Sequence, residues 1–317
     1  MPTARTSFDD IGQRIGVTVK TKVLVSAMLA LFIHTTHTAE AEVRIVATTS
    51  SMTMLAREIG GDNVDITTLV PPDRDAHYLL AKPSMMIALR RADLLISVGA
   101  DLEIGWLPAA IRGANNFKIV PGQSGYFEGA AQIDLIEVGQ AADRSQGDVH
   151  PRGNPHYYMD PRRMATVAEA LATRLADLDP DNRDVYAGRA DRFATAVAAR
   201  VPQWQSAATG SPGVIFYHKD GNYLAALLGI QIHGFVEPLP GIPPTASHLR
   251  DLIRRLGDAD GVILYNTFHP HDGPEFLSRN LGWKRIQLQL EVPLDATGST
   301  YLAHIDTWVQ AITSGGE

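Results

Sequence analysis

Short apolar runs alternate with stretches of helical spacing through most of this chain. The β-branched run from Val43 to Thr49 predicts a buried strand. Ser50 or Ser51 can cap a helix over Met52 to Ile59, which Gly60 and Gly61 stop. A strand from Val64 to Val70 ends at Pro71 and Pro72, a helix covers Pro83 to Ala92, and a strand from Leu94 to Val98 runs up to Gly99. Residues 161–208 break this rhythm. They are rich in Ala and Arg, with apolar positions at Val167, Leu171, Leu175 and Leu178, then Tyr186, Phe193 and Val197. Two consecutive helices, the second long, fit that spacing.

After Gly210 the alternation resumes. Strands are expected at Val214–Tyr217, Gln231–Val236, Gly261–Tyr265 and Ile286–Val292. Helices are expected at Asn222–Leu228, Ala246–Leu256, Gly273–Leu281 and Tyr301–Thr313. The fold class is therefore α/β: two lobes of parallel-sheet βα units joined by a long rigid helix. The divisions are a signal peptide over 1–41, an N-terminal metal-binding lobe over 42–160, inter-lobe helices over 161–210 and a C-terminal metal-binding lobe over 211–317.

Composition narrows the function classes. Of 317 residues, 45% are hydrophobic and 20% charged, as in a globular protein with a sizeable core. A net charge of −7 and the lack of any Lys/Arg block argue against a nucleic-acid partner. Lys20 and Lys22 precede an apolar run from Val23 to Ile33, with Ala39-Glu40-Ala41 as a small-residue cleavage site, so residues 19–41 read as a secretion signal. That run is too short to span a bilayer, which needs about 20 residues. The chain has no cysteine. Disulfides, thiolate metal sites, cysteine nucleophiles and a lipidated cysteine anchor are all excluded. An exported chain without an anchor is expected in a periplasm.

The candidate chemistry sits in scattered turns. His77 follows the second strand and the loop from Pro71 to Asp75; His218 directly follows the strand ending at Tyr217. Ligand sites of open α/β sheets lie at the carboxyl ends of strands, so these two histidines point to one cleft from opposite sides. His156 stands in Asn154-Pro155-His156, four residues before Asp160-Pro161, a helix start in which Asp160 is structural. Asp295 lies in a loop flanked by Pro293 and Gly298. Three imidazoles and a carboxylate make a closed four-coordinate transition-metal site.

These segments resemble the zinc/manganese solute-binding family of bacterial ABC importers (cluster A-I), over nearly the whole chain after the signal. The marks are Val46 to Ser50, Ala76-His77-Tyr78 with Lys82-Pro83-Ser84, Ala92-Asp93-Leu94 with Gly99 and Glu103, and Asn154-Pro155-His156 to Asp160-Pro161. Phe216-Tyr217-His218 with Tyr223, Glu237-Pro238, and Leu294-Asp295 with Gly298 and Tyr301 add to them. The resemblance implies His77, His156, His218 and Asp295 as metal ligands and Glu237 as an outer partner. It also implies Zn2+ as cargo because the third position is His, with Mn2+ as the alternative, and an ABC permease as partner of a monomeric, non-enzymatic periplasmic protein.

Two departures stand out. Residues 113–153 hold a single histidine, His150, where many zinc importers carry a long His-rich loop; His150 with Asp143 and Asp148 fits a weak relay at most. The fourth-ligand segment reads Val292-Pro293-Leu294-Asp295-Ala296-Thr297 in place of the commoner Leu-Asp-Pro-Leu-Gly, so Asp295 or a water takes the fourth place. His269 and His271 flank Pro270 and read as loop residues; His233, His248 and His304 carry no partner signal. The rival functions are a periplasmic zinc metallochaperone, a manganese-specific importer component, and a secreted zinc hydrolase with Asp295 or Glu237 as base. The last lacks a His-Glu-x-x-His pair.

Overall fold

Strand and helix alternate into two four-stranded sheets of the same topology. The computed structural model describes residues 42–139 and 150–316. In the first sheet the strands are β1 (Val43–Ala47), β2 (Val64–Thr68), β3 (Leu94–Ser97) and β4 (Tyr126–Glu128), ordered β2-β1-β3-β4. In the second they are β5 (Gly213–Phe216), β6 (Ile232–Phe235), β7 (Gly261–Asn266) and β8 (Lys284–Leu288), ordered β6-β5-β7-β8. Every strand pair is parallel. The expected α/β architecture is the observed one.

Burial follows position in the sheet. The central strands β3, β5 and β7 are buried at every residue, whereas the edge strands β2 and β8 alternate with exposed positions. Parallel strands covered on both faces need continuous apolar runs, which is why the central strands were plain in the sequence. The short edge strand β4 and the helix Leu107–Ala114 had no comparable signal and were not anticipated. β8 begins and ends earlier than the expected Ile286–Val292, because after Leu288 the chain leaves the sheet towards the first half of the molecule.

The connecting helices are α1 (Ser50–Gly60), α2 (Pro83–Arg91), α3 (Leu107–Ala114), α4 (Pro161–Leu178), α5 (Arg183–Ala208), α6 (Asn222–Leu228), α7 (Ala246–Leu256), α8 (Asp272–Leu281) and α9 (Gly298–Thr313). Asp160, fully buried, caps α4 by accepting from Arg162 N at 3.0 Å, and Pro161 fills the first helical position, as read from the sequence. The 26 residues of α5 span about 39 Å at 1.5 Å per residue. Near its start, Arg189 donates to Ile59 O at 3.2 Å, at the end of α1. Near its finish, Trp204 Nε1 donates to Asp306 Oδ1 at 2.6 Å on α9, and Gln205 Nε2 to Leu227 O at 3.0 Å on α6. One apolar core runs through both halves, from Ile45 and Met52 through Tyr157 and Phe193 to Val214 and Trp308. The outer face of each sheet has its own smaller core, under Trp106 in the first and around Trp283 in the second. Among the described residues no helix is long and apolar enough to cross a membrane. The signal peptide expected over 1–41, and Asp143 and Asp148, lie outside the described residues.

Candidate metal centre

The carboxyl ends of both sheets face a common site, and each half places its histidine by a different device. In the first half, the loop after β2 turns at Asp75, whose Oδ1 accepts from His77 N at 2.9 Å and pairs with His77 Nδ1 at 2.6 Å. A residue that holds both the backbone and the ring of its neighbour fixes that neighbour's orientation locally. In the second half, His218 leaves the end of β5 and pairs through Nδ1 with Glu237 Oε2 at 3.0 Å, just past β6. Glu237 is held in turn by Gly241 N at 3.1 Å.

His156 enters from the segment before α4. Its backbone N–H donates to Asn154 Oδ1 at 2.9 Å and its Nδ1 lies 2.9 Å from the Tyr158 hydroxyl. Burial holds the Tyr158 phenol well above its usual range, so it stays protonated. In all three histidines Nδ1 is engaged outward. With the Nδ1 proton shared to a carboxylate or phenol oxygen, the Nε2 lone pairs are left to converge inward.

They converge together with a fourth ring, His150. The donor atoms of His77, His150, His156 and His218 all lie within 4.8 Å of one another. Nε2 of His77 stands 3.1 Å from Nε2 of His150, and Nε2 of His218 stands 3.2 Å from Nε2 of His156. Four nitrogens around one tetrahedral ion at 2.0–2.1 Å would stand about 3.3 Å apart, close to these two separations. The donor set fits a borderline transition-metal ion without further acidic ligands.

Asp295 does not join them. It is exposed, in the turn before α9, and the fourth donor in the group within 4.8 Å is that of His150. The acid from this part of the chain that reaches the site is Glu291, four residues earlier and 5% exposed. It lines a narrow cavity beside His77, His156 and His218, along with Asp75 and Asp220. Its Oε2 accepts from Ser51 N and Ser51 Oγ at 2.7 Å each and from Ser50 Oγ at 3.0 Å, so it caps the start of α1 from the other half of the molecule. The expected partner Glu237 stands where an outer partner should; Asp75, in the equivalent role on His77, was missed. A carboxylate two residues before a histidine is the signal that could have found it.

The field is mixed. Burial works to raise the Asp75 carboxyl, but the charge and hydrogen bond of the His77 imidazole outweigh it and hold Asp75 well below the usual carboxylate range. Burial pushes Asp220 up to about 6 despite His218 and the amide of Asn266. Burial also raises Glu291. His156, buried among other imidazoles, is held well below the ordinary histidine range. For His218 burial acts downward, yet Glu237 and Asp220 together raise it.

The remaining histidines among the described residues separate cleanly. His269 lines the same cavity, stacked on Tyr217 at 4.1 Å, but its Nδ1 accepts from Asn266 N at 3.0 Å. A neutral ring then carries its proton on Nε2 and has no lone pair to offer inward. His271 pairs with Tyr265 Oη at 3.2 Å at an exposed position. His233, His248 and His304 each engage a backbone carbonyl, of Asp260, Phe235 and Leu290.

Comparison with known proteins speaks for the family and the fold. The family profile "Zinc-uptake complex component A periplasmic" matches residues 45–315. The chain is 26% identical over 148 residues to the metal ABC transporter substrate-binding lipoprotein SsaB of Streptococcus sanguinis, an alignment covering 46% of this chain and 45% of that protein. The chain thus spans about half the length of the curated relatives it matches. Among solved structures it superposes on FpvC from Pseudomonas aeruginosa in complex with Mn2+ with a TM-score of 0.71 at 24% identity, covering 86% of this chain and 98% of that one. It superposes equally well on the periplasmic zinc binding protein TroA from Treponema pallidum, with a TM-score of 0.71 at 16% identity, covering 86% and 99%. At these identities the two structures speak for the fold.

Proposed function

The chain belongs to the family of the periplasmic zinc-uptake component A, and from that premise we propose that it is the solute-binding component of an ABC importer that captures Zn2+ outside the cytoplasm. The family is one of non-enzymatic solute-binding proteins. On this reading the ion is cargo: it is held by His77, His150, His156 and His218 and delivered to a membrane permease by a monomeric protein. The observation that carries the proposal is the convergence of four imidazoles, of which His77, His156 and His218 already have their outward nitrogens engaged. Imidazole suits Zn2+, whereas Mn2+ prefers carboxylate, carbonyl and water. Four protein donors fill a tetrahedral ion, leaving no open position for the activated water of a zinc hydrolase.

A manganese reading has its own support in the carboxylates of Asp75, Asp220 and Glu291 along the adjoining cavity. Equilibrium competition decides between them. Full-length protein freed of signal and metal should take Zn2+ in one-to-one stoichiometry against a large excess of Mn2+. Preferential retention of Mn2+ would reverse the assignment of the cargo. Cu2+ is an unsuitable competitor, since it outranks Zn2+ at almost any nitrogen site.

A further inference from the structure

His156 and His218 stand beside regular elements and His77 in a turn held by Asp75, but His150 stands on an irregular strap, and something must hold that strap in place. Residues 150–154 lie along residues 136–139: Gly139 N donates to Pro151 O at 3.2 Å and Asn154 N to Ile136 O at 2.9 Å. The approach is close. A Cβ at Gly153, whose φ is +120°, would come within 2.7 Å of Leu135 Cβ.

The 136–139 segment is fastened to the turn that follows His218. Glu137 Oε1 accepts from Asn222 Nδ2 at 2.6 Å and Oε2 from Lys219 Nζ at 3.2 Å. Tyr223 Oη donates to Asn154 O at 2.7 Å and accepts from Ile136 N at 3.2 Å, pinning both halves of the strap. Glu137 makes its fork from a left-handed backbone, φ 61°, a conformation that glycine and asparagine adopt readily and glutamate does not. Asn222 is buried, and its Oδ1 has no partner among the described residues, so its side chain is tied through Nδ2 to Glu137. A glutamate kept in an unfavourable conformation by two bonds to one turn is spending its side chain on registration.

We propose that Glu137 is the positioning residue of the fourth imidazole: by tying the strap to the turn behind His218, it sets where His150 stands. This rests on the four-imidazole reading of the site. It makes the fourth donor dependent on the second half of the molecule, although His150 precedes α4 in the chain.

The test is Zn2+ affinity by competition with a chromophoric chelator, together with the visible absorption of the Co2+-loaded protein, on the full chain. Glu137→Asn keeps a residue comfortable at positive φ and removes the fork. It should weaken Zn2+ binding about tenfold, the lower range for an outer partner, and move the Co2+ spectrum towards that of His150→Ala. Glu137→Gln, which retains an acceptor for Asn222, should recover part of the loss; Lys219→Met, cutting the same tie from the other side, should lose less than Glu137→Asn. In a His150→Ala background none of these changes should weaken binding further, because coupled residues are non-additive. Full affinity and an unchanged Co2+ spectrum in Glu137→Asn would overturn the proposal, as would an equal loss with and without His150. If His150→Ala alone left both readouts unchanged, the four-imidazole reading itself would fail, and the positioning role with it.

Discussion

The two histidine–carboxylate pairs, one in each half of the molecule, perform the same chemistry by different means. Asp75 and His77 are two residues apart, and one carboxylate oxygen holds both the backbone and the ring. His218 and Glu237 are 19 residues apart and meet because β5 and β6 lie side by side, with Glu237 N donating to Tyr217 O at 3.1 Å. The first orientation is a property of a turn, the second of a sheet. A carboxylate behind a ligating imidazole fixes its tautomer and raises its basicity in either case. The local pair should therefore survive loosening of the second sheet, whereas the tertiary pair should not.

The largest effects should come from the rings themselves. Ala at His156 or His218, both buried, should weaken Zn2+ binding by more than about a hundredfold, beyond what loss of an outer partner costs. Ala at His269 should leave it nearly unchanged, as its inward nitrogen carries a proton. A larger loss in His269→Ala than in His156→Ala would show that the cavity, not the four-ring cluster, holds the ion.

Next come the two carboxylates. Asp75→Ala and Glu237→Ala should each cost roughly 10–100-fold in affinity. Asp75→Asn should recover more of its loss than Glu237→Gln, since Asn still accepts from His77 N and preserves the turn. Equal recovery would erase the distinction between a local and a tertiary pair.

Acid should act on both halves, in ways that can be separated. His218 is raised by Glu237 and Asp220, so protons compete with the ion there first, and apparent Zn2+ affinity should start to fall at higher pH than an ordinary histidine would set. Glu237→Gln should move that fall to lower pH. In the metal-free protein the balance lies elsewhere. His156 and His269 are depressed by burial, the latter to about 3, so the unfolded chain takes up protons below 6.5 that the folded chain refuses. Their contribution is intact above 6.5 and is lost as pH falls, by roughly 2 kcal/mol from His269 alone between pH 6.5 and about pH 5. His218 has the opposite sign, since its raised value favours the folded state at low pH and that contribution fades as pH rises. Asp220, pushed up to about 6, has the same sign as His218 and offsets part of the loss. The three depressed rings of His156, His269 and His304 should outweigh them, so urea midpoints of the metal-free protein should fall on acidification; a rise would mean that His218 and Asp220 dominate.

The smallest effect should be at Asp295, exposed in its turn: Asp295→Ala should change neither Zn2+ affinity nor stability beyond about 0.5 kcal/mol. Glu291→Gln, by contrast, should destabilise the protein through the cap of α1.

What could be read from the sequence follows the same division between local and tertiary causes. The central strands announced themselves as unbroken apolar runs, and the long helix as spacing between its breakers. His77, His156 and His218 each stand at a strand end or before an Asp-Pro helix start, and the structure brings those three rings together. His150 had no such frame. Its place depends on residues 150–154 lying along 136–139 and on Glu137 reaching the turn after His218, contacts that no periodicity encodes. Asp295 was favoured because three histidines called for a carboxylate and the family resemblance pointed to its segment, although a loop flanked by Pro293 and Gly298 reads by itself as a turn. The better signal was a charge inside an apolar run, Glu291 between Leu290 and Val292, which marks a buried acid with a partner.

The most direct test of the four-imidazole centre is zinc-edge X-ray absorption on the Zn2+-loaded protein beside its His150→Ala variant. The prediction is an all-nitrogen shell near 2.0–2.1 Å with outer scattering from four rings, falling to three rings in the variant. Three rings and a carboxylate oxygen in the wild-type protein, unchanged on removal of His150, would contradict it.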